Sequence, residues 1–256
     1  MNALILALTC ALAPGEDVVA NFSEQTYKYT GGRYQDEAFR YRLLSPEKIE
    51  PGKKYPVILF LHGAGERGDD NADQLIYLPQ QMATAEYRKK FPCFLIAPQC
   101  REEGSWVERR ADSGTVGDQM QVVEGILHDV LKKYPCDPKR VYLTGLSMGG
   151  YGAWDLASRH PDWFAAVAPI CGGGDPSRAD KLVKVPIWAF HGDKDGVVRP
   201  EQSREMIEAI RAAGGNPKYT EFKDVGHDSW NPAYKDPEGV IPWLFAHVND
   251  RGTPAP

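Results

Sequence analysis

The sequence predicts an α/β protein built on a mostly parallel, doubly wound sheet, with an antiparallel hairpin at its N-terminal end. Three observations carry this. Short continuous apolar runs, such as residues 57–61 (VILFL) and 94–97 (FLIA), have the look of strands buried on both faces. Helical periodicity recurs between them. The two patterns alternate along the chain, which is the signature of strands joined by helical crossovers.

The elements follow in order. Residues 26–29 and 37–44 read as two strands around Gly31-Gly32, an opening hairpin. Residues 46–56 are a turn-rich connection into the strand at 57–61, and the strand at 94–97 is ended by Pro98. Residues 119–133 space Val122, Val123, Ile126, Leu127, Val130 and Leu131 as one helical face, and Pro135 stops the run. A strand at 141–144 leads into a helix at 150–159, ended by His160-Pro161. Strands at 165–170 and 186–190 precede a helix at 201–213 closed by Gly214-Gly215. A strand at Lys218–Phe222 and a helix at 240–248 complete the chain. There is no internal repeat and no linker long enough to divide two domains, so residues 21–256 read as one domain.

The first 20 residues differ from the rest. Residues 3–13 are almost wholly apolar and Pro14-Gly15-Glu16-Asp17 breaks the run, which is too short to span a bilayer. It reads as a signal-peptide core, although no Lys or Arg precedes it, and Val18-Val19-Ala20 offers a small-residue cleavage site. Export to the periplasm or medium follows from that reading; without it the protein is cytoplasmic. Of five cysteines, Cys93, Cys100, Cys136 and Cys171 remain once Cys10 leaves, a number compatible with disulfides or with free buried thiols. A net charge of −5 without a basic stripe excludes an electrostatic footprint for nucleic acid or an anionic membrane. The sequence leaves the oligomeric state open.

Ligands of open α/β sheets sit beyond the carboxyl ends of the strands. There the chain carries Gly145-Leu146-Ser147-Met148-Gly149, directly after one strand and before a helix. A nucleophile on so sharp a turn leaves no room for side chains two residues to either side, so glycine fills both places. The turn would lift the Ser147 hydroxyl clear of the sheet and bring the Met148 amide to a developing oxyanion. A serine hydroxyl needs a base. Of His62, His128, His160, His191, His227 and His247, His227 stands in the loop after the strand at 218–222, downstream of Ser147, which is where the Ser–Asp–His order of such folds puts the base. The acid belongs after the strand at 186–190. Asp195 is preferred there, with Asp193 as fallback, Asp224 and Asp228 as distant alternatives, and His191 as a brace for the loop. The glycine-rich loop 62–68 (HGAGERG) offers the Ala64 amide as a second oxyanion donor. It lacks the Lys-Ser/Thr of a phosphate cradle, and Asp193–Gly196 lacks the further ligands of a calcium loop. No cofactor or metal is called for. Trp106 and Trp230 are candidates to wall a substrate pocket, with core packing as the equal alternative.

Four stretches, LHGAGERGD at 61–69, APQC at 97–100, GLSMGGYGAW at 145–154 and HGDKD at 191–195, resemble bacterial esterases of the α/β-hydrolase superfamily. The similar group is the phospholipase/carboxylesterase-like one, including proteins labelled "predicted peptidase", near the feruloyl and acetyl-xylan esterases. Dienelactone hydrolases share that fold but place Cys where this chain has Ser147. The resemblance implies an α/β-hydrolase without a large cap, a Ser147–Asp195–His227 triad and oxyanion amides at Ala64 and Met148. Its implied substrate is a short-chain or carbohydrate-linked ester, with a peptidase or amidase, or an acyltransferase to a sugar or alcohol, as alternatives.

Overall fold

The computed structural model describes residues 18–107 and 117–251. Most of the leader, Cys10 with it, lies outside the described residues; of the leader only Val18–Ala20 are described, and they open the 3₁₀ turn Val18–Asn21. Eight strands form one sheet in the order β1-β2-β4-β3-β5-β6-β7-β8. The hairpin β1 (Phe22–Gly31) and β2 (Tyr34–Leu44) is antiparallel, and β2 also runs antiparallel to β4. From there β4 (Phe94–Pro98), β3 (Tyr55–Leu61), β5 (Cys136–Leu146), β6 (Ala166–Ile170), β7 (Trp188–Gly192) and β8 (Lys218–Phe222) are all parallel. The mostly parallel sheet with its N-terminal hairpin is therefore as the sequence predicts.

All seven residues of β3 are buried, and their alternation feeds two hydrophobic layers. Val57, Leu59 and Leu61 join the layer formed with α3 (Asp118–Lys133), α4 (Met148–Arg159) and α5 (Glu201–Ala212). Ile58 and Phe60 face the layer formed with α1 (Leu78–Met82), α6 (Trp230–Lys235) and α7 (Val240–Phe245). One further short helix, α2 (Ala85–Lys90), packs beside α1 and is capped by the Thr84 hydroxyl. In α3 the apolar stripe Val122, Val123, Ile126, Leu127 and Val130 is buried, each side chain contributing about 1.5–3 kcal/mol. Asp118 in its first turn and Lys132 and Lys133 in its last complement the helix dipole.

Several boundaries differ from expectation, the hairpin strands being longer than predicted, and β5 and α7 differ for identifiable reasons. Strand β5 begins at Cys136, not 141, because its first residues extend beside Tyr55 despite Pro138. Helix α7 ends at Phe245 rather than 248, where the Ala246 amide turns back onto the Pro242 and Trp243 carbonyls. Cys93, Cys100, Cys136 and Cys171 are free and buried, so the free-thiol alternative holds for these four. Among the described residues no helix is long and apolar enough to cross a membrane.

Candidate active site

The predicted residues Ser147, Asp195 and His227 meet beyond the carboxyl ends of β5, β7 and β8. Ser147 follows β5 directly and takes φ 53° and ψ −115°, a left-handed backbone that non-glycine residues avoid. The turn is fixed by the Ser147 amide on the Ile170 carbonyl at 3.0 Å and by the Tyr151 amide on the Ser147 carbonyl at 3.1 Å. Its two glycines are demanded by space. A Cβ on Gly145 would lie 2.4 Å from the Gly149 carbonyl oxygen, and one on Gly149 would lie 1.9 Å from that of Leu61.

His227 Nε2 stands 2.9 Å from Ser147 Oγ, and His227 Nδ1 stands 2.7 Å from Asp195 Oδ2. The three side chains thus form one hydrogen-bonded chain, drawn from the ends of three strands. Asp195 rather than Asp193, Asp224 or Asp228 contacts the imidazole. Its side chain is wholly buried, while that of His227 is 20% exposed toward the cleft. Burial alone would raise the Asp195 carboxyl, but His227 and the Val197 and Val198 amides, each 2.9 Å from Oδ1, hold it below the ordinary carboxylate range. His191 does more than brace the loop. Its Nε2 lies 3.2 Å from Asp195 Oδ2 and 2.9 Å from the Val198 carbonyl, and its Nδ1 lies 2.8 Å from Ser203 Oγ.

Opposite Ser147, Ala64–Glu66 form a 3₁₀ turn beyond β3. Ala64 opens this turn and Met148 opens α4, so neither amide has a carbonyl partner within its own helix. His62 anchors the loop from beneath. The Cys100 amide donates to its Nε2 at 2.9 Å, which leaves the ring proton on Nδ1, 2.6 Å from the Gly63 carbonyl. Burial pushes the His62 pKa down to about 4, so this tautomer stays neutral near pH 7.

The two tryptophans part company. Trp106 is 1% exposed, donates to the His62 carbonyl at 2.9 Å and packs edge-on to the His62 ring. It supports the loop from inside and leaves the pocket-wall expectation to Trp230. The Trp230 ring stands edge-on to His227 at 5.3 Å and against Tyr77 at 5.3 Å, at the cleft. Sequence reasoning missed Tyr77, a non-glycine residue at φ 62°, and Glu66, whose half-buried carboxyl is raised by that burial. Neither residue type at these positions carries a signal; the HGAGERG loop alone pointed to the neighbourhood of Glu66.

One cluster of metal-ligand atoms occurs among the described residues: Cys171, Asp195 and His227 lie within 4.8 Å of one another. Burial pushes the Cys171 thiol up to about 12, which keeps it protonated at neutral pH and a poor ligand. The carboxylate and imidazole are already committed to each other.

The model of the dienelactone hydrolase family matches residues 100–238, more than half of the chain and inclusive of Ser147, Asp195 and His227. The chain belongs to that family. In this member of it a serine, not a cysteine, occupies the turn after β5. A bifunctional acetylxylan esterase/xylanase of Neocallimastix patriciarum is 34% identical over 189 residues, 73% of this chain and 26% of that protein. A poly(3-hydroxyalkanoate) depolymerase of Paucimonas lemoignei is 23% identical over 229 residues, 72% of this chain and 51% of that one. The crystal structure of a thermostable esterase superimposes with a TM-score of 0.83 at 37% identity, covering 90% of this chain and 64% of that one. The chain therefore spans only part of each of these relatives.

Proposed function

We propose that this protein is a serine carboxylic-ester hydrolase acting on short-chain or carbohydrate-linked acyl esters. The observation that carries the reading is the unbroken chain from Ser147 Oγ through His227 to a buried Asp195, at 2.9 and 2.7 Å. Family membership and the esterases among its relatives support it. Residues 21–256 serve as one catalytic domain, and an exported protein is the localisation that suits the apolar leader.

In the proposed reaction His227 Nε2 takes the Ser147 proton as Oγ attacks the ester carbonyl. The carbonyl oxygen gains the negative charge between the Ala64 and Met148 amides. Asp195 keeps the Nδ1 proton in place and stabilises the imidazolium. The tetrahedral intermediate collapses, the C–O bond to the alcohol breaks, and the alcohol leaves with the proton from Nε2. Water then attacks the acyl-enzyme, gives a proton to Nε2, and releases the acid as Ser147 recovers its own.

Hydrolysis of p-nitrophenyl acetate and butyrate by the wild type and by Ser147→Ala tests this. The wild type is expected to turn over and the variant to lose several orders of magnitude. Equal rates would remove Ser147 from the reaction. Matched ester and anilide substrates separate this reading from a peptidase or amidase, and competing alcohol acceptors separate it from an acyltransferase.

A further inference from the structure

The Asp195 carboxylate stands between two imidazoles. His227 Nδ1 lies 2.7 Å from Oδ2, and His191 Nε2 lies 3.2 Å from the same oxygen. The proposed reaction employs the first ring and gives the second no task. Yet the side chains of His191 and Asp195 are both wholly buried, and setting two polar groups together out of water is costly unless their contacts offset it.

Those contacts decide where the His191 proton sits. The Nε2 edge meets the Val198 carbonyl at 2.9 Å as well as Asp195 Oδ2, and neither oxygen has a proton to give while Asp195 is ionised. A bare nitrogen lone pair facing two such oxygens would be repelled, so Nε2 carries the proton. Nδ1 faces Ser203 Oγ at 2.8 Å, a hydroxyl that can donate as well as accept. The same hydroxyl lies 2.8 Å from the Gly172 carbonyl, so Ser203 serves either acceptor by rotating its proton. Val198 then closes a ring. Its carbonyl faces His191 Nε2 while its amide donates to Asp195 Oδ1 at 2.9 Å, so both carboxylate oxygens are tied to one frame.

We infer that His191 is a positioning residue of the triad, whose Nε2–H edge holds Asp195 Oδ2 in place and moderates the negative charge that His227 feels. A positive N–H edge against a carboxylate weakens that carboxylate's pull on a neighbouring imidazolium. Removing the edge strengthens the pull and makes His227 more basic. Other charged groups nearby have partners of their own. On β8, Glu221 stands opposite His191 in the register but is held by Arg204 of α5 at 2.7 and 2.8 Å and by the Tyr219 hydroxyl at 2.7 Å. On the loops, Lys194 pairs with Asp224, and Asp228 follows His227 directly. Beyond β6, the Cys171 thiol lies within 4.8 Å of both triad groups and stays protonated. A change confined to residue 191 removes none of them. The inference rests on the ester-hydrolase reading above.

The test is the pH dependence of kcat/KM for p-nitrophenyl butyrate in the wild type, His191→Leu and His191→Gln. The acid limb reports the ionisation of His227 in the free enzyme. In His191→Leu, which has no donor, that limb is expected to move up by about one pH unit. In His191→Gln the amide NH2 reaches where Nε2 stood, and the limb is expected to stay with the wild type. An unmoved limb in His191→Leu overturns the inference even if rates fall, because a merely structural role lowers rates without moving the titration. Equal shifts in both variants overturn it too, since the donor at Nε2 would then not be the cause. Where His191→Leu does not fold, the wild type decides. A proton–nitrogen correlation spectrum of its imidazoles at neutral pH, with the His191 signals identified by their loss in His191→Gln, is expected to show the proton on Nε2. A proton on Nδ1 with Nε2 bare overturns the inference. If the wild type hydrolyses no ester, the ester-hydrolase reading is what has failed, and the spectrum still tests His191.

Discussion

Across the cleft, the turn from β5 into α4 and the rim from Glu66 through Tyr77 to Trp230 are built in opposite ways. At the turn, backbone fits backbone: both glycines are pressed against carbonyl oxygens, the Ser147 amide and carbonyl are bonded, and the side chain meets its partner at 2.9 Å. The rim is assembled from side chains of separate segments, with the Tyr77 ring against Trp230 and the Trp230 ring edge-on to His227. A satisfied region resists change and holds reacting atoms in register. The contrast is one of construction: a turn locked by its own backbone against a rim made of packed side chains.

Three outcomes would break or sharpen that contrast. The largest concerns the satisfied side. Asp195→Asn leaves a side chain able to accept from the Val197 and Val198 amides but presents His227 with the wrong hydrogen-bonding partner, so kcat is expected to fall roughly 10⁴-fold with the fold intact. Steady-state kinetics beside a circular dichroism spectrum check this, and a fall below tenfold would dissociate Asp195 from the chemistry. Next, Gly149→Ala forces a methyl against the Leu61 carbonyl and is expected to cost more than about 3 kcal/mol. In Gly65→Ala the methyl meets open space on the rim side, and the cost should stay within about 0.5 kcal/mol. Urea unfolding midpoints of the two variants measure the difference directly.

The smallest effect is in pH. His62 has a folded pKa of about 4, below its ordinary 6.5, so the unfolded chain binds the proton more readily. The stability this neutral ring contributes is complete above pH 6.5 and is lost as pH falls from 6.5 toward 4, by up to about 3 kcal/mol. His191, also lowered by burial, adds in the same direction. Urea unfolding of wild type and His62→Gln across that window should give a shallower acid loss in the variant. Parallel curves would contradict the lowered pKa of His62.

The two sides also differ in how far the sequence discloses them. The turn is legible because its demands are local. A serine at a left-handed φ between two glycines, after a strand and before a helix, is written in five consecutive residues. His227 was legible by its order in the chain and Asp195 by its distance from His191-Gly192, since strand ends recur predictably in a parallel sheet. The rim is not local. Glu66, Tyr77 and Trp230 come together only after α1 and α6 have packed on the same face of the sheet, and helices of five or six residues leave too short a period to be read. The same limit explains Trp106, whose place under His62 depends on where β4 ends. That His191 touches Asp195 is likewise a product of the fold, because spacing alone cannot tell a brace for a loop from a neighbour of the carboxylate.

Ser147 as the nucleophile is the claim on which the proposed reaction depends. Incubation with a fluorophosphonate, followed by peptide mass measurement, tests it most directly. A single adduct on the peptide carrying Ser147 is predicted, absent in Ser147→Ala and formed far more slowly in His227→Ala. Loss of ester turnover with the adduct on a different serine, or turnover that survives in Ser147→Ala, would contradict it.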